Sequence, residues 1–191
     1  MAKINLMLKK VLYIIITFLI VLSCAQNDTS VSDTNKTSKP KIDLLTAVSK
    51  ADFEMINQHI DYGTDINSKF VTDKDWKGAS SLHIAAISPT NSEQLKIFTK
   101  VVGLLLEEGA NIEIKARNAD EATPLAWAVY FGKYEMAQLL VKKGANVNSS
   151  DKNGYTPLDG ALSSPFMGSE LNRSAIVNFL KEKGAKTKDG K

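Results

Sequence analysis

The chain has one cysteine, Cys24, and two histidines in 191 residues. A single thiol excludes an intramolecular disulfide and any Cys-rich zinc cluster. His59 and His83 lie too far apart to form the paired-histidine spacing of a helix-borne metal site. No glycine-rich phosphate loop occurs, and no Ser or Asp stands in a nucleophile motif. Charge of one sign is also missing. The formal net charge is +3, but all three excess cations, Lys3, Lys9 and Lys10, lie in the first 23 residues. The remainder carries 21 basic residues against 21 acidic ones. That balance argues against a nucleic-acid surface and against attraction to anionic lipid. The sequence offers no active site and calls for no cofactor or metal.

What is present begins with an export-like start. After the three lysines, Val11 to Leu22 is a run of twelve residues, apolar except for Thr17. This fits the core of a signal peptide, about 7–15 residues. It falls short of the roughly 20 that span a bilayer, although an uncleaved anchor is the alternative. The run ends in Val21-Leu22-Ser23-Cys24, which resembles the lipobox of bacterial lipoproteins. That resemblance implies diacylation of Cys24 and cleavage before it, a membrane attachment through acyl chains and a place in the bacterial envelope. Leu22 departs from the pattern, since a small residue is more usual there. A stray thiol beside an ordinary signal peptide is the alternative. Residues 25–41 are rich in Ser, Thr, Asn, Asp and Lys and too polar to bury a core. As a flexible coil they would span roughly 20–25 Å.

The rest repeats. Thr123-Pro124-Leu125 opens one copy, Gly144-Ala145-Asn146-Val147-Asn148 closes it, and Thr156-Pro157-Leu158 begins the next 33 residues on. In the most regular copy Thr123 is placed to cap a helix with Pro124 at its first position. That helix ends near Gly132, and a second from Lys133 to Lys143 carries Met136, Ala137, Leu139 and Leu140 at helical spacing. Gly144 ends it. The following copy closes at Gly184-Ala185, with about seven extra residues within Ser163 to Arg173. The preceding copy contains Ser81-Leu82-His83 and closes at Gly109-Ala110-Asn111, with about eight extra around Ser88 to Gln94. A degenerate first copy runs from Leu44 to Asn67. Three residues before each closing glycine stand Ile60, Leu106, Val141 and finally Lys181. A charged residue in the last such slot is expected of a terminal repeat facing water, so the stack is expected to end there; the chain is also expected to be a monomer.

A 33-residue period with this wording resembles the ankyrin-repeat family over residues 42 to about 186. The resemblance implies an all-α solenoid of helix–turn–helix units with extended turns, about four repeats including caps. The expected organisation is a signal (1–23), an anchor and tether (24–41), the repeats (42–186) and a tail (187–191). Departures are Glu121 in place of the turn glycine and Ala126 and Asp159 in place of a histidine, with the two insertions besides. His83 stands at the family's structural histidine and His59 in a slot that Leu105, Leu140 and Leu180 fill elsewhere. Both read as packing and hydrogen-bonding residues.

The resemblance further implies a binding module whose concave face comprises the turn tips and the ends of the first helices. Projected onto this chain, that face holds Trp76, Lys77, Ile87, Tyr130, Phe131, Lys152, Asn153 and Tyr155. Exposed Trp, Tyr and Phe are typical anchors for a protein partner. The alternative is that these rings pack on the insertions, for example on Phe166 or Met167. Trp127 reads as core. The leading expectation is a lipid-anchored module that binds a protein partner. A protective or inhibitory partner of an exported enzyme or toxin is the alternative, and an enzyme with its site in the insertions a third.

Overall fold

Eight short helices account for the regular structure of residues 38–69 and 78–190, which the computed structural model describes. They form four pairs: α1 (Leu44–Ser49) with α2 (Phe53–Asp61), α3 (Ser81–Ile87) with α4 (Ser92–Glu107), α5 (Pro124–Tyr130) with α6 (Tyr134–Lys142), and α7 (Pro157–Ser163) with α8 (Glu170–Glu182). Among the described residues the only β pairing is an isolated antiparallel bridge between Lys69 and Ser80. The signal and the anchor cysteine fall outside the described residues.

Every helix but α6 starts where a side chain can satisfy an orphan backbone donor. Thr123 and Thr156 accept from the amides of Ala126 and Asp159, with a proline following each in the first helical position. Asp43, Asp52, Asn91 and Ser169 cap α1, α2, α4 and α8 in the same way. Such a cap is worth about 1 kcal/mol.

The first helices form an inner row, α1 on α3 on α5 on α7, and α4 packs on α6 and α6 on α8 outside it. The outer contact between α2 and α4 is slighter. The core runs along the interface of the two rows. Leu82, Leu125 and Leu158 from the inner row meet Leu105, Leu140 and Leu180 from the outer, all fully buried. Ile60, Leu106 and Val141 are partly buried against this core, whereas Lys181 is exposed.

Joints between repeats are hydrogen-bonded at two edges. Below the outer helices, Asn67 donates to the Gly109 carbonyl at 3.1 Å and accepts from the Asn111 amide at 2.8 Å. Asn148 does the same to Gly184 and Lys186. Between them the corresponding residue is Glu113, which can only accept. It takes the Asn146 amide at 2.7 Å and the Ser149 hydroxyl. At the inter-helix turns, Lys133 Nζ donates to the Pro89 carbonyl at 2.7 Å, and Asn172 donates to the Gly132 carbonyl at 2.9 Å. Ser164 donates to the Tyr130 carbonyl.

The extra residues of the second and fourth repeats differ from the expected inter-helix insertions. Most of them lengthen the outer helix: α4 has 16 residues and α8 has 13, against 9 in α6. Asn91 and Ser169 cap these helices early, and Glu93 and Glu170 in their first turns favour the helix dipole. The remaining loop 164–169 is held by Arg173, whose guanidinium donates to the carbonyls of Ala161 and Ser164 at 2.8 and 2.9 Å.

Among the described residues two turns carry left-handed residues that are not glycine. Glu121 has φ +54° where Gly78 and Gly154 stand in neighbouring tips, and Ala51 has φ +52° where Gly132 stands in the third repeat. The turn at Ala51 makes the same pair of bonds as that at Gly132, from residues 51 and 52 to Val48 and Ala47. A left-handed L-residue costs roughly 1–2 kcal/mol, partly offset by the extra unfolded freedom a glycine would bring. Ala51→Gly is therefore expected to raise the unfolding free energy by about 0.5–1 kcal/mol in urea titrations. No gain at this site would mean that the turn absorbs the strain.

Candidate functional site

The turn tips of the third and fourth repeats are built by their own side chains. Asn118 Oδ1 accepts the amides of Asp120 and Glu121, at 3.2 and 2.9 Å. Asp151 Oδ1 accepts those of Asn153 and Tyr155, at 2.7 and 2.9 Å. The two tips are joined where the Lys152 amide donates to the Asp120 carbonyl at 2.8 Å. The side chains of Lys152 and Glu121 approach to 3.8 Å across the same joint, an exposed pair of small energetic weight.

Between these tips and the ends of α5 and α7 lies a groove of about 490 Å³. Its aromatic wall is Trp127, Tyr130, Phe131 and Tyr155, and its polar wall includes Asn118, Asp120, Asp151, Asn153 and Asp159. Tyr130 is 38% exposed and Tyr155 53%. Phe131 is half-buried and forms a three-ring cluster with Tyr130 and Phe166, every centroid 5.5 Å from the other two. Both readings of these aromatics thus hold at once, because they pack on the loop 164–169 and still line the groove.

Four of the eight projected residues, Tyr130, Phe131, Asn153 and Tyr155, come together here. Lys152 is exposed on the adjoining tip, outside the lining. Ile87 is only 8% exposed, because the turn after it is drawn onto the third repeat by the Lys133–Pro89 bond. It offers a partner little surface. Trp76 and Lys77, like Cys24, lie outside the described residues.

The residue-level reading missed two contributors. Trp127 packs against the core, edge-on to His83 at 4.8 Å, but its ring also lines the groove. Asp120 stands three residues before Thr123, as Asn153 stands three before Thr156, so the repeat register alone could have found it. Its carboxylate makes no hydrogen bond or ion pair among the described residues. Asp159 is already engaged. Partial burial pushes its carboxyl up, but hydrogen bonds from the Thr156 and Lys188 amides and the Thr156 hydroxyl, with the Lys188 charge, outweigh burial and hold it below its usual range.

Neither histidine faces the groove. His59 bonds Thr64 Oγ1 at 2.9 Å and the Ile42 carbonyl at 2.8 Å. His83 Nδ1 accepts from the Ser80 amide at 3.2 Å, which leaves its proton on Nε2, 3.0 Å from the Ala122 carbonyl of the next repeat. Burial lowers its pKa to about 4, against a smaller opposing effect of the Ala122 bond and with some help from the Lys69 charge. Among the described residues no group of three His, Cys, Asp or Glu is placed to hold a metal ion, and no helix is long and apolar enough to cross a membrane.

The family model for ankyrin repeats matches residues 44–151 and 98–190. The chain belongs to the ankyrin-repeat family. Among its relatives are a probable palmitoyltransferase of Saccharomyces uvarum, 31% identical over 88 residues, and a transient receptor potential cation channel homologue of Caenorhabditis elegans, 46% identical over 77. Another is the 26S proteasome non-ATPase regulatory subunit 10 of Dictyostelium discoideum, 36% identical over 102. The matches cover 46%, 40% and 50% of this chain but only 12%, 6% and 40% of those proteins. As in the family at large, ankyrin repeats point to binding of a protein partner.

Proposed function

We propose that this chain is a lipid-anchored ankyrin module of the bacterial envelope that holds a protein partner in the groove between its third and fourth repeats. The observation that carries the binding site is the groove itself, in which exposed aromatic rings and an unengaged carboxylate converge on rigid tips. Large aromatic side chains at such places contribute most of the affinity in protein interfaces. The anchor rests on the sequence, with its short apolar run ending at the lone Cys24. Two acyl chains would hold the protein firmly where one binds only marginally. A tether after the anchor would lift the groove off the membrane. The protective-partner alternative is a narrower form of this reading, and the identity of the partner decides it.

A photo-crosslinking residue at position 155 is expected to trap a discrete protein, while one at Glu135 on the outer row traps none. Tyr130→Ala should abolish the product. Equal crosslinking from both positions would discard the groove. For the anchor, intact mass of the native protein should show a chain starting at Cys24 with added acyl mass, and Cys24→Ala should release it from membranes. A full-length, unmodified chain would overturn that half of the proposal.

A further inference from the structure

The groove combines two surfaces that attract the same chemistry. Three carboxylates, Asp120, Asp151 and Asp159, line it, and no lysine or arginine does. Two cations stand at its rim and both are engaged: Lys152 with Glu121, and Lys188 with the Asn153 carbonyl at 2.7 Å. The same groove is lined by aromatic rings, whose quadrupoles favour a cation. The molecule itself places a cation on this wall, since Lys188 Nζ lies 4.6 Å from the centroid of the Tyr155 ring. Tyr130, next along the wall, has no such cation among the described residues, although it is 38% exposed.

Resting on the groove reading above, we infer that the partner's bound segment is basic and inserts an arginine or lysine side chain into the groove at Asp120 and the aromatic rings around Tyr130. The carboxylate would accept a charge-assisted hydrogen bond, and the rings would cover the apolar stem and the flat face of the cation. Arginine suits the slot better than lysine, because its planar head both stacks on rings and bonds a carboxylate.

The test uses the full-length chain in detergent and three labelled peptides alike except at four positions, which carry arginine, citrulline or glutamate. Fluorescence anisotropy should show the arginine peptide binding about tenfold more tightly than its citrulline counterpart, the size of a paired and stacked cation. Asp120→Asn and Tyr130→Ala should each remove most of that difference, while Glu135→Gln on the outer row leaves it intact. Circular dichroism melting confirms that the variants fold. Arginine and citrulline peptides binding alike, or an arginine preference that survives both groove variants, would overturn the inference. If position 155 still trapped a partner whose crosslinked segment contained no basic residue, the groove would stand and its cationic occupant would fall.

Discussion

Alanine at Gly78 is expected to lower the unfolding free energy by about 3 kcal/mol, one of the largest effects of any single methyl group in this chain. Gly78 has φ +76°, and its amide plane lies so close to the next repeat that a Cβ would sit 2.2 Å from the Arg117 carbonyl carbon and oxygen. Backbone cannot rotate away as a side chain can. Relief requires the second and third tips to separate, which breaks the 2.7 Å bond from the Arg117 amide to the Gly78 carbonyl. A left-handed alanine costs roughly 1–2 kcal/mol and an orphaned backbone bond about 1–3. Gly154→Ala provides the comparison. Its φ is similar at +84°, but the nearest atom to its Cβ would be a Lys188 side-chain carbon at 3.4 Å. Only the conformational part, roughly 1–2 kcal/mol, is expected there. Equal losses in urea unfolding would show that close approach of the tips is not what Gly78 serves.

Acid should weaken the stack through one buried histidine. His83 is buried with a pKa lowered from 6.5 to about 4, so the folded state keeps it neutral over a range in which the unfolded chain takes up a proton. The unfolded state binds more protons in that window, and stability therefore falls as pH drops from 6.5 to about 4, then levels off as regards this group. The difference corresponds to about 3 kcal/mol. The structural reason lies in the ring's two bonds: a second proton would sit on Nδ1, where the Ser80 amide already points its own hydrogen. Urea midpoints at pH 7 and pH 4.5 should differ markedly in the wild type and much less in His83→Gln. An unchanged slope in the variant would move the effect to another group. The carboxyls of Asp43 and Asp159 act in a separate range. Both are held below 3.8 because hydrogen bonds outweigh partial burial, so their contribution is present above that value and is lost as pH falls through their folded values.

Much of this fold was legible because its signals are local. Thr123-Pro124 and Thr156-Pro157 specify helix starts through the caps they form, and Gly144 and Gly184 specify stops through their positive φ. The left-handed position of Glu121 could be read from its slot between two glycine-bearing tips, while Ala51 could not, because the first repeat departs too far from the others to align its turn. The insertions were counted rightly but misplaced. Their residues have two uses, loop or longer helix, and the choice fell to the caps Asn91 and Ser169. The groove was half visible. Repeat register finds Tyr130, Asn153 and Tyr155, but the burial of Ile87 depends on Lys133, 46 residues further along the chain. Trp127 has one side toward the core and another toward solvent, which spacing along a seven-residue helix does not resolve.

The unequal joints give the molecule a weak end under load. The third repeat is held like a vertebra between ligaments, by Lys133 on one side and by Ser164 and Asn172 on the other. The first repeat has the Asn67 clamp, the Ser81–Ile66 bond, the Lys69–Ser80 bridge and the inner-row packing, but among the described residues no bond ties its inter-helix turn to the second, and α2 packs less on α4 than α4 does on α6. A stack of nearest-neighbour contacts parts at its slackest joint. Pulled from the two ends of the stack, this one would shed its first helix pair while the third and fourth repeats stayed joined, a slack link ahead of a stiff one.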